Sequence, residues 1–256
     1  MVLAIDIGNT NIVIGCFEGD EILFVERVST SLGATDLEYA SIIRTAMQIH
    51  SLEPSDLDGA IISSVVPTLT STVKRAIEKY AHTSAMVVGP GIKTGLRILI
   101  DNPAQLGSDL VVSAVAAINS YSVPLIVVDM GTATTYSVID RHKSYVGTLI
   151  TAGIGISAEA LASATSQLPH VAFDTPSRVI GKNTQESMNS GIMYANAAAI
   201  DGICSRIEAE LGEKCSVIAT GGLAGIVSYL CEREVILDDA LTLKGLMLIY
   251  NKNKSN

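Results

Sequence analysis

A turn rich in short polar side chains follows the first apolar segment of the chain. Asp6 ends the segment, and Gly8, Asn9, Thr10 and Asn11 follow it closely. Glycine lets a bound group approach the backbone, and the Asn and Thr residues offer donors that suit phosphate oxygens. Asp6, at a strand end, is suited to hold a hydrated Mg²⁺. The alternative is a hairpin whose Asn and Thr side chains satisfy only the turn itself.

A second turn of the same kind appears much later in the chain. Asp129 again ends an apolar segment, and it aligns with Asp6, while Gly131 aligns with Gly8 and Thr132 with the residue after Gly8. Each turn joins two predicted strands. Because both copies retain the acid, the repeat favours a phosphate-binding role over a purely structural turn. It predicts two homologous halves whose turns face one cleft.

Two other places have residues suited to chemistry. Gly221 and Gly222 lie where a buried strand meets a helix, so a nucleotide could approach the backbone there, although such junctions also arise from packing alone. Asp109 lies at the start of an otherwise apolar helix. It is either an acid favoured by the helix dipole or a general base that takes the proton of an acceptor hydroxyl. Spacing leaves both interpretations open.

The segment before a long predicted helix has two candidates with alternative roles. Thr184 could cap that helix or bind a ligand, and Lys182 could neutralise phosphate or be an exposed loop lysine. The four histidines are scattered and indicate no metal site. The four cysteines show no C-x-x-C spacing and are expected to be reduced core residues.

Composition excludes several classes of protein. The net charge is −9 without a basic run, and Trp is absent, so we expect no nucleic-acid partner. Mean hydropathy is +0.40, but the apolar runs end well before bilayer-spanning length, so no membrane span is expected. The N-terminus reaches Asp6 at once and does not resemble a signal peptide. A soluble cytoplasmic protein is the expectation.

Hydrophobic periodicity predicts alternating strands and helices, and therefore an α/β fold with mostly buried sheets. Three strands flank each polar turn. Further strands are predicted over residues 59–64, 85–88 and 216–220. Helices are predicted over residues 36–49, 67–81, 106–121, 156–166, 185–211, 223–232 and 240–251. The duplication divides the chain into half-domains of residues 1–117 and 118–256.

The motifs, taken together and in order, resemble the type III pantothenate kinases from residue 1 to about residue 250. They read D-I-G-N-T-N, I-S-S-V-V-P, V-G-P-G, D-x-G-T-A-T-T, I-G-K-N-T-x-x-S-M-x-S-G-I, A-T-G-G-L-A and L-T-L-K-G-L. The resemblance implies an ASKHA fold (actin, Hsp70, sugar-kinase and ribonuclease H-like) with two half-domains around a nucleotide cleft. It implies transfer of the ATP γ-phosphoryl group to the 4′-hydroxyl of pantothenate, the first step of coenzyme A synthesis.

The resemblance also implies roles for individual residues. Asp109 is the implied base, Asp129 the ligand of a monovalent cation (K⁺ or NH₄⁺), and Asp6 a water-mediated ligand of Mg²⁺. The residues expected to contact ATP are Asp6, Ile7, Gly8, Asn9, Thr10, Asn11, Ile12, Val13, Thr132, Gly221 and Gly222. Those expected to contact pantothenate are Ile100, Gly107, Ser108, Asp109, Leu110 and Thr184. Family members are homodimers with the pantothenate pocket and the cation site at the subunit interface.

The chain departs from the family pattern on the acceptor side. The family's G-A-D-R is here G-S-D-L, ending in Leu110, and an expected tyrosine is Ile100. An expected arginine is Ala164, and an expected G-Y pair is Ala195-Asn196. An Arg-to-Leu change removes donors that could grip a carboxylate or phosphate. Three hypotheses follow: a pantothenate kinase with a rebuilt pocket, a kinase for another hydroxyl compound, and an ATP-binding subunit that pairs with a paralogue supplying the arginine.

Overall fold

A computed structural model of the chain describes residues 1–254. The strands are β1 (Val2–Ile7), β2 (Asn11–Glu18), β3 (Glu21–Ser29), β4 (Gly59–Ser64), β5 (Ala85–Val87), β6 (Arg97–Ile98), β7 (Leu125–Met130), β8 (Ala133–Ile139), β9 (Ser144–Ala152), β10 (Ser216–Thr220) and β11 (Ile236–Leu237). The α-helices are α1 (Asp36–Ile49), α2 (Pro67–Ala81), α3 (Ser108–Ser120), α4 (Ile154–Ala164), α5 (Thr184–Leu211), α6 (Ala224–Ser228) and α7 (Leu241–Asn253).

The predicted elements are present, with differences at some ends. The helix predicted over 223–232 is only α6, because the backbone N–H groups of Glu232 and Arg233 donate to the carboxylate of Asp201 at 2.9 and 3.2 Å and leave the helical path. Strands β6 and β11 were not predicted. Each has two residues, which is too short for an alternating pattern to show.

The two sheets have the same strand order. The first sheet runs β3-β2-β1-β4-β5, and the second runs β9-β8-β7-β10-β11, with β6 added at the edge beyond β9. In each, three antiparallel strands are followed by two parallel ones. Even the irregularity recurs, because a bulge lies between Cys16 and Phe17 in β2 and between Val138 and Ile139 in β8. The predicted duplication and fold class are confirmed.

The two polar turns differ by one residue. In the first turn Ile7 pairs with Ile12, whereas in the second Met130 pairs with Thr134. The strands entering the turns share one burial pattern, with four buried residues, a half-buried aspartate and a further buried residue. Each aspartate therefore lies at the carboxyl end of a central strand, and its side chain is partly open to solvent.

Strand β1 is buried on both faces. Leu3 and Ile5 pack on one side in the core formed with α1 and α2. Val2 and Ala4 pack on the other side, in the core that includes Leu246 of α7. Successive side chains of a strand point to opposite faces, so a strand between two layers of helices is apolar throughout. This packing holds the end of β1, and with it Asp6, in place.

The chain divides into two compact units. The first contains residues Met1–Leu96 and Asn102–Ala116 together with the C-terminal segment from Leu241, and the second contains Arg97–Asp101 and Ala117–Ala240. The half-domain boundary at residues 117 and 118 stays a prediction, since homologous halves and compact units are different divisions of a chain. None of the helices within residues 1–254 is long and apolar enough to cross a membrane.

Candidate active site

The first polar turn is closed by backbone bonds from both sides. The N–H of Gly8 donates to the carbonyl of Asn11 at 3.0 Å. Thr30, which follows β3, donates its N–H to the carbonyl of Thr10 at 2.9 Å and its hydroxyl to the carbonyl of Gly8 at 2.7 Å. Asn9 and Thr10 are exposed at the tip. The turn is thus held rigidly while its polar residues face outward.

The other residues predicted to contact ATP in this segment lie on the flanking strands. Ile7 and Ile12 are fully buried in the core, so only their backbone groups are placed to meet a ligand. Asn11 and Val13 are half-buried. Sequence alone did not distinguish backbone from side-chain contacts within this segment.

Asp6 is brought next to Asp109. Burial raises the pKa of Asp6 to about 7, a hydrogen bond from Ser63 opposes this rise, and repulsion from the Asp109 carboxylate adds to it. Asp6 pairs in register with Ser63 of the parallel strand β4, so the two side chains share one face of the sheet. Residues more than a hundred positions apart in the sequence therefore form one acidic site at the end of β1.

Asp109 lies in the first turn of α3. One carboxylate oxygen, Oδ1, accepts from the N–H of Leu110 at 2.8 Å. Burial raises the pKa of Asp109, and backbone hydrogen bonds oppose the rise. The carboxylate lies directly over Gly107, where an added Cβ would collide with Oδ1. A half-buried carboxylate with a raised pKa is suited to accept a proton near neutral pH.

Three further acceptor-side candidates are Ser108 and Leu110, which flank Asp109, and Ile100, which lies in the other unit. Ser108 is the first residue of α3, and its hydroxyl contacts β4. Leu110 is buried, with 9% of its surface exposed. Ile100 belongs to the second unit and is half-buried just beyond β6.

The second polar turn is held by Gly153, which is not among the residues predicted for the site. The N–H of Gly153, which follows β9, donates to the carbonyl of Thr132 at 3.2 Å. This bond corresponds to the one that the Thr30 N–H donates to the Thr10 carbonyl in the first turn. An added Cβ at Gly153 would collide with the carbonyl oxygens of Gly131 and Thr132. The sequence G-I-G at residues 153–155 is too short to count as a motif, so only the contact with the turn identifies Gly153.

Asp129 lies between two hydroxyl residues in the second sheet. It pairs in register with Thr135 of β8 and with Thr220 of β10, so the three side chains share one face. The Thr135 hydroxyl is buried without a hydrogen-bond partner among the described residues. Gly221 follows Thr220 with φ +101°, and an added Cβ would lie 2.7 Å from the Met130 carbonyl. Only glycine fits this close approach.

Thr184 begins α5 but does not cap it, which corrects one of its two predicted roles. The cap is Asn183, whose side chain accepts from the N–H of Glu186 at 2.9 Å. The Glu186 carboxylate in turn accepts from the side chain of Asn183 and from the N–H of Lys182. Thr184 and Lys182 are both exposed. Thr184 is thereby left for the ligand-binding alternative.

A cavity of about 720 Å³ lies between α4 and α5 in the second unit. Thr184, Lys182 and Asn183 line its polar part, and Leu161 and Met188 belong to its apolar part. Its volume suits a small organic molecule.

The site residues fall into two groups. The first unit contains the ATP-contact segment Asp6 to Val13 and the residues Gly107 to Leu110, and it brings Asp6 and Asp109 together. The second unit contains Ile100, Asp129, Thr132, Thr184, Gly221 and Gly222. That the two turns face one cleft stays a prediction.

The arrangement fits a metal that binds through few protein ligands. Within residues 1–254 no cluster of three or more His, Cys, Asp or Glu side chains forms a complete metal cage. Asp6 and Asp109 bring two carboxylates to the end of β1, and no cationic side chain within residues 1–254 lowers the pKa of either one. Mg²⁺ is usually held by one or two carboxylates, several waters and substrate phosphates. The donor set therefore fits Mg²⁺ bound together with a nucleotide.

Solved structures of low sequence identity share the fold. The activator of 2-hydroxyisocaproyl-CoA dehydratase from Clostridium difficile, solved with bound ADPNP, superposes with a TM-score of 0.58 at 14% identity, covering 100% of this chain and 98% of that one. Component A of (R)-2-hydroxyglutaryl-CoA dehydratase from Acidaminococcus fermentans gives 0.54 at 15% identity, covering 97% and 96%. At such identities the likeness shows the fold, which is of the ASKHA type.

Sequence comparison is more specific. A family model described as type III pantothenate kinase matches residues 2–206. A type III pantothenate kinase of Halalkalibacterium halodurans is 46% identical over 253 residues, covering 99% of this chain and 100% of the relative. One from Brevibacillus brevis is 46% identical over 255 residues, covering 100% of both. The family match and these full-length relatives show that the chain belongs to the type III pantothenate kinase family.

Proposed function

We propose that the protein transfers the γ-phosphoryl group of ATP to the 4′-hydroxyl of pantothenate, which begins coenzyme A synthesis. Membership of the family supports the activity. The structural observation that carries it is the placement of Asp6 and Asp109 at the end of β1, where Ser63, in register with Asp6, contacts Ser108, the residue before Asp109. Phosphoryl transfer depends mainly on positioning and on neutralising charge, and this pair has one group suited to a metal and one suited to a proton.

The proposed roles follow from position. The turn after Asp6 presents the exposed Asn9 and Thr10 to the phosphates, and Asp6 would hold a hydrated Mg²⁺. Thr132, Gly221 and Gly222 contribute further ATP contacts. Bound Mg²⁺ neutralises phosphate charge. Asp109 accepts the proton of the acceptor hydroxyl, and its raised pKa suits that task.

A monovalent cation, K⁺ or NH₄⁺, is proposed at Asp129. The row of Thr135, Asp129 and Thr220 places three oxygen-bearing side chains on one face of the second sheet. The Thr135 hydroxyl, buried without a partner among the described residues, supports an oxygen ligand at that position. Carboxylate and hydroxyl oxygens suit hard cations.

Pantothenate is proposed to contact Gly107, Asp109 and Leu110, the backbone of Ser108, and Ile100 and Thr184. The cavity beside Thr184 supports the last of these contacts, because it joins polar groups to an apolar wall, as pantothenate would require.

A homodimer is also proposed. Large apolar side chains are exposed on β9 and α4, with Ile150 67% and Ile156 47% exposed. On α5, Gly191, Ala195 and Ala198 are exposed at helical spacing, and such small residues allow close approach of another helix.

Part of the Ala-rich segment of α5, residues 195–200, packs inside its own unit. Ala197 and Ile200 are buried in the core of their own unit. Only the opposite face of α5 is therefore offered to a partner. Light scattering of the purified chain checks the proposal, and a monomer at working concentrations would count against it.

The function is tested by ADP formation by the purified chain with ATP and Mg²⁺, with and without pantothenate. We expect pantothenate-dependent turnover and a product phosphorylated at the 4′-hydroxyl. Turnover with another hydroxyl compound but not with pantothenate would favour a redirected kinase. Activity only after co-expression with a paralogue would favour the hetero-oligomeric alternative.

A further inference from the structure

A group of serines connects the two carboxylates of the first unit. Ser63 is fully buried at the end of β4, and it hydrogen-bonds to the Asp6 carboxylate. Its Oγ also lies 3.1 Å from the Oγ of Ser108, the first residue of α3. Asp109 is the next residue of that helix. The connection therefore runs from Asp6 through two hydroxyls to the residue that precedes the proposed base.

Ser108 is attached to both backbone groups of one residue. The N–H of Ser64 donates to the Ser108 Oγ at 3.1 Å, and the Ser108 hydroxyl donates to the Ser64 carbonyl at 3.0 Å. These bonds fix the first turn of α3 against the end of β4. Together with the Ser63 contact, these bonds use the hydrogen-bonding capacity of the Ser108 hydroxyl. That hydroxyl is therefore directed at the protein and not at the substrate that accepts the phosphoryl group.

The direction of the hydrogen bonds follows from counting protons. Each serine hydroxyl has one proton. When Asp6 is ionised and takes the proton of Ser63, the single proton of Ser108 has two acceptors within reach, the Ser64 carbonyl and the Ser63 hydroxyl. The N–H of Ser64 donates to Ser108 in either case. The first turn of α3 therefore stays attached to the end of β4 whichever acceptor the Ser108 proton meets.

We propose that Ser108, assisted by Ser63, is a positioning residue that holds Asp109 in the geometry required of the base. The proposal rests on the proposed kinase function. Asp6 lies beside Ser63 in register, and Asp109 follows Ser108, which contacts Ser63, so two like charges meet at this strand end and repel each other. Ser108 opposes their separation because it ties the helix that bears Asp109 to the strand next to Asp6.

The test compares Ser108→Ala with a matched control. Alanine removes the hydroxyl without adding bulk. Thr70→Val removes a hydroxyl bonded at the same strand end, to Ser64 Oγ at 2.9 Å and to the Val66 carbonyl, but not connected to Asp6. We expect Ser108→Ala to lower kcat by about 10- to 100-fold, since misplacement by about 1 Å costs up to about 10²-fold. The KM values for ATP and pantothenate should stay within about twofold, as expected for an interaction made only in the transition state.

A cycle with the base separates positioning from general support of the fold. If Ser108 acts through Asp109, Ser108→Ala should lower kcat no further in the Asp109→Asn background. Ser108→Thr keeps the hydroxyl and should restore most of the loss. Ser63→Ala should have a smaller effect than Ser108→Ala, because Ser108 then keeps both bonds to Ser64.

The possible outcomes are distinct. An active wild type with Ser108→Ala equal to Thr70→Val would overturn the positioning role alone. So would equal losses from Ser108→Ala in both backgrounds, or a lower melting temperature without a change in kcat. A wild type that does not phosphorylate pantothenate would refute the proposed function and the inference together.

Discussion

Replacing Asp6 by Asn should stabilise the protein in the absence of metal and nucleotide. Burial raises the pKa of Asp6 to about 7, whereas an aspartate in an unfolded chain has a pKa of about 3.9. The folded form therefore binds more protons than the unfolded form between these values. Stability must fall as the pH rises through that window, and the whole penalty is present above pH 7.

The magnitude follows from the difference between the two pKa values. At about 1.4 kcal/mol for each pH unit, a rise from about 3.9 to about 7 corresponds to about 4 kcal/mol at pH 8. At pH 5 only about 1–2 kcal/mol of the penalty has developed. Asparagine carries no charge, and its carbonyl can still accept from Ser63. The gain of Asp6→Asn should therefore be about 4 kcal/mol at pH 8 and should vanish below about pH 3.

Scanning calorimetry with a chelator at pH 5 and pH 8 measures the effect. A gain of about 4 kcal/mol should raise the melting temperature by roughly 8–16 °C in a protein of this size. Because Asp6 belongs to the first unit, any separate transition of the second unit should not move.

Asp36→Asn is the matched control. Asp36 is half-buried and paired with Lys79 at 3.0 Å, and that hydrogen bond lowers its pKa. Its loss should slightly destabilise the protein by the same amount at both pH values. The reasoning is refuted if Asp6→Asn melts at the wild-type temperature at pH 8, or if its gain is the same at pH 5.

Three further predictions concern the site. Asp109→Asn should lower turnover by roughly 10²–10⁴-fold with nearly unchanged nucleotide affinity by calorimetric titration, and unchanged turnover would remove Asp109 from the mechanism. Gly221→Ala should lower stability in urea unfolding by about 2–4 kcal/mol, because φ is +101° and the Cβ would meet Met130, whereas the exposed Gly222→Ala should not. Leu110→Arg should raise kcat/KM for pantothenate by roughly thirtyfold to thousandfold if an arginine there grips the substrate or phosphoryl group, with Leu110→Met as the uncharged control; equal values for both would contradict that role.

The sequence by itself determined the plan of the protein. Asp6 and Asp129 each end an apolar segment before a glycine turn, and this repeated pattern predicted two halves of the same topology. It did so because strand periodicity and turn residues are local properties, which neighbouring residues alone dictate. Helices α1 and α2 were predicted with the bounds they have in the structure for the same reason.

Tertiary structure decided which residues meet. The Ser63 and Ser108 hydroxyls are 45 positions apart in the sequence, and only the packing of α3 against the end of β4 joins them. Gly153 is not among the residues predicted for the site, yet its backbone closes the second turn. The pKa of Asp6 depends on the burial of its carboxylate and on the charge of Asp109, a residue distant in sequence. Desolvation and long-range contacts are sums over neighbours that are distant in sequence, so no local pattern specifies them.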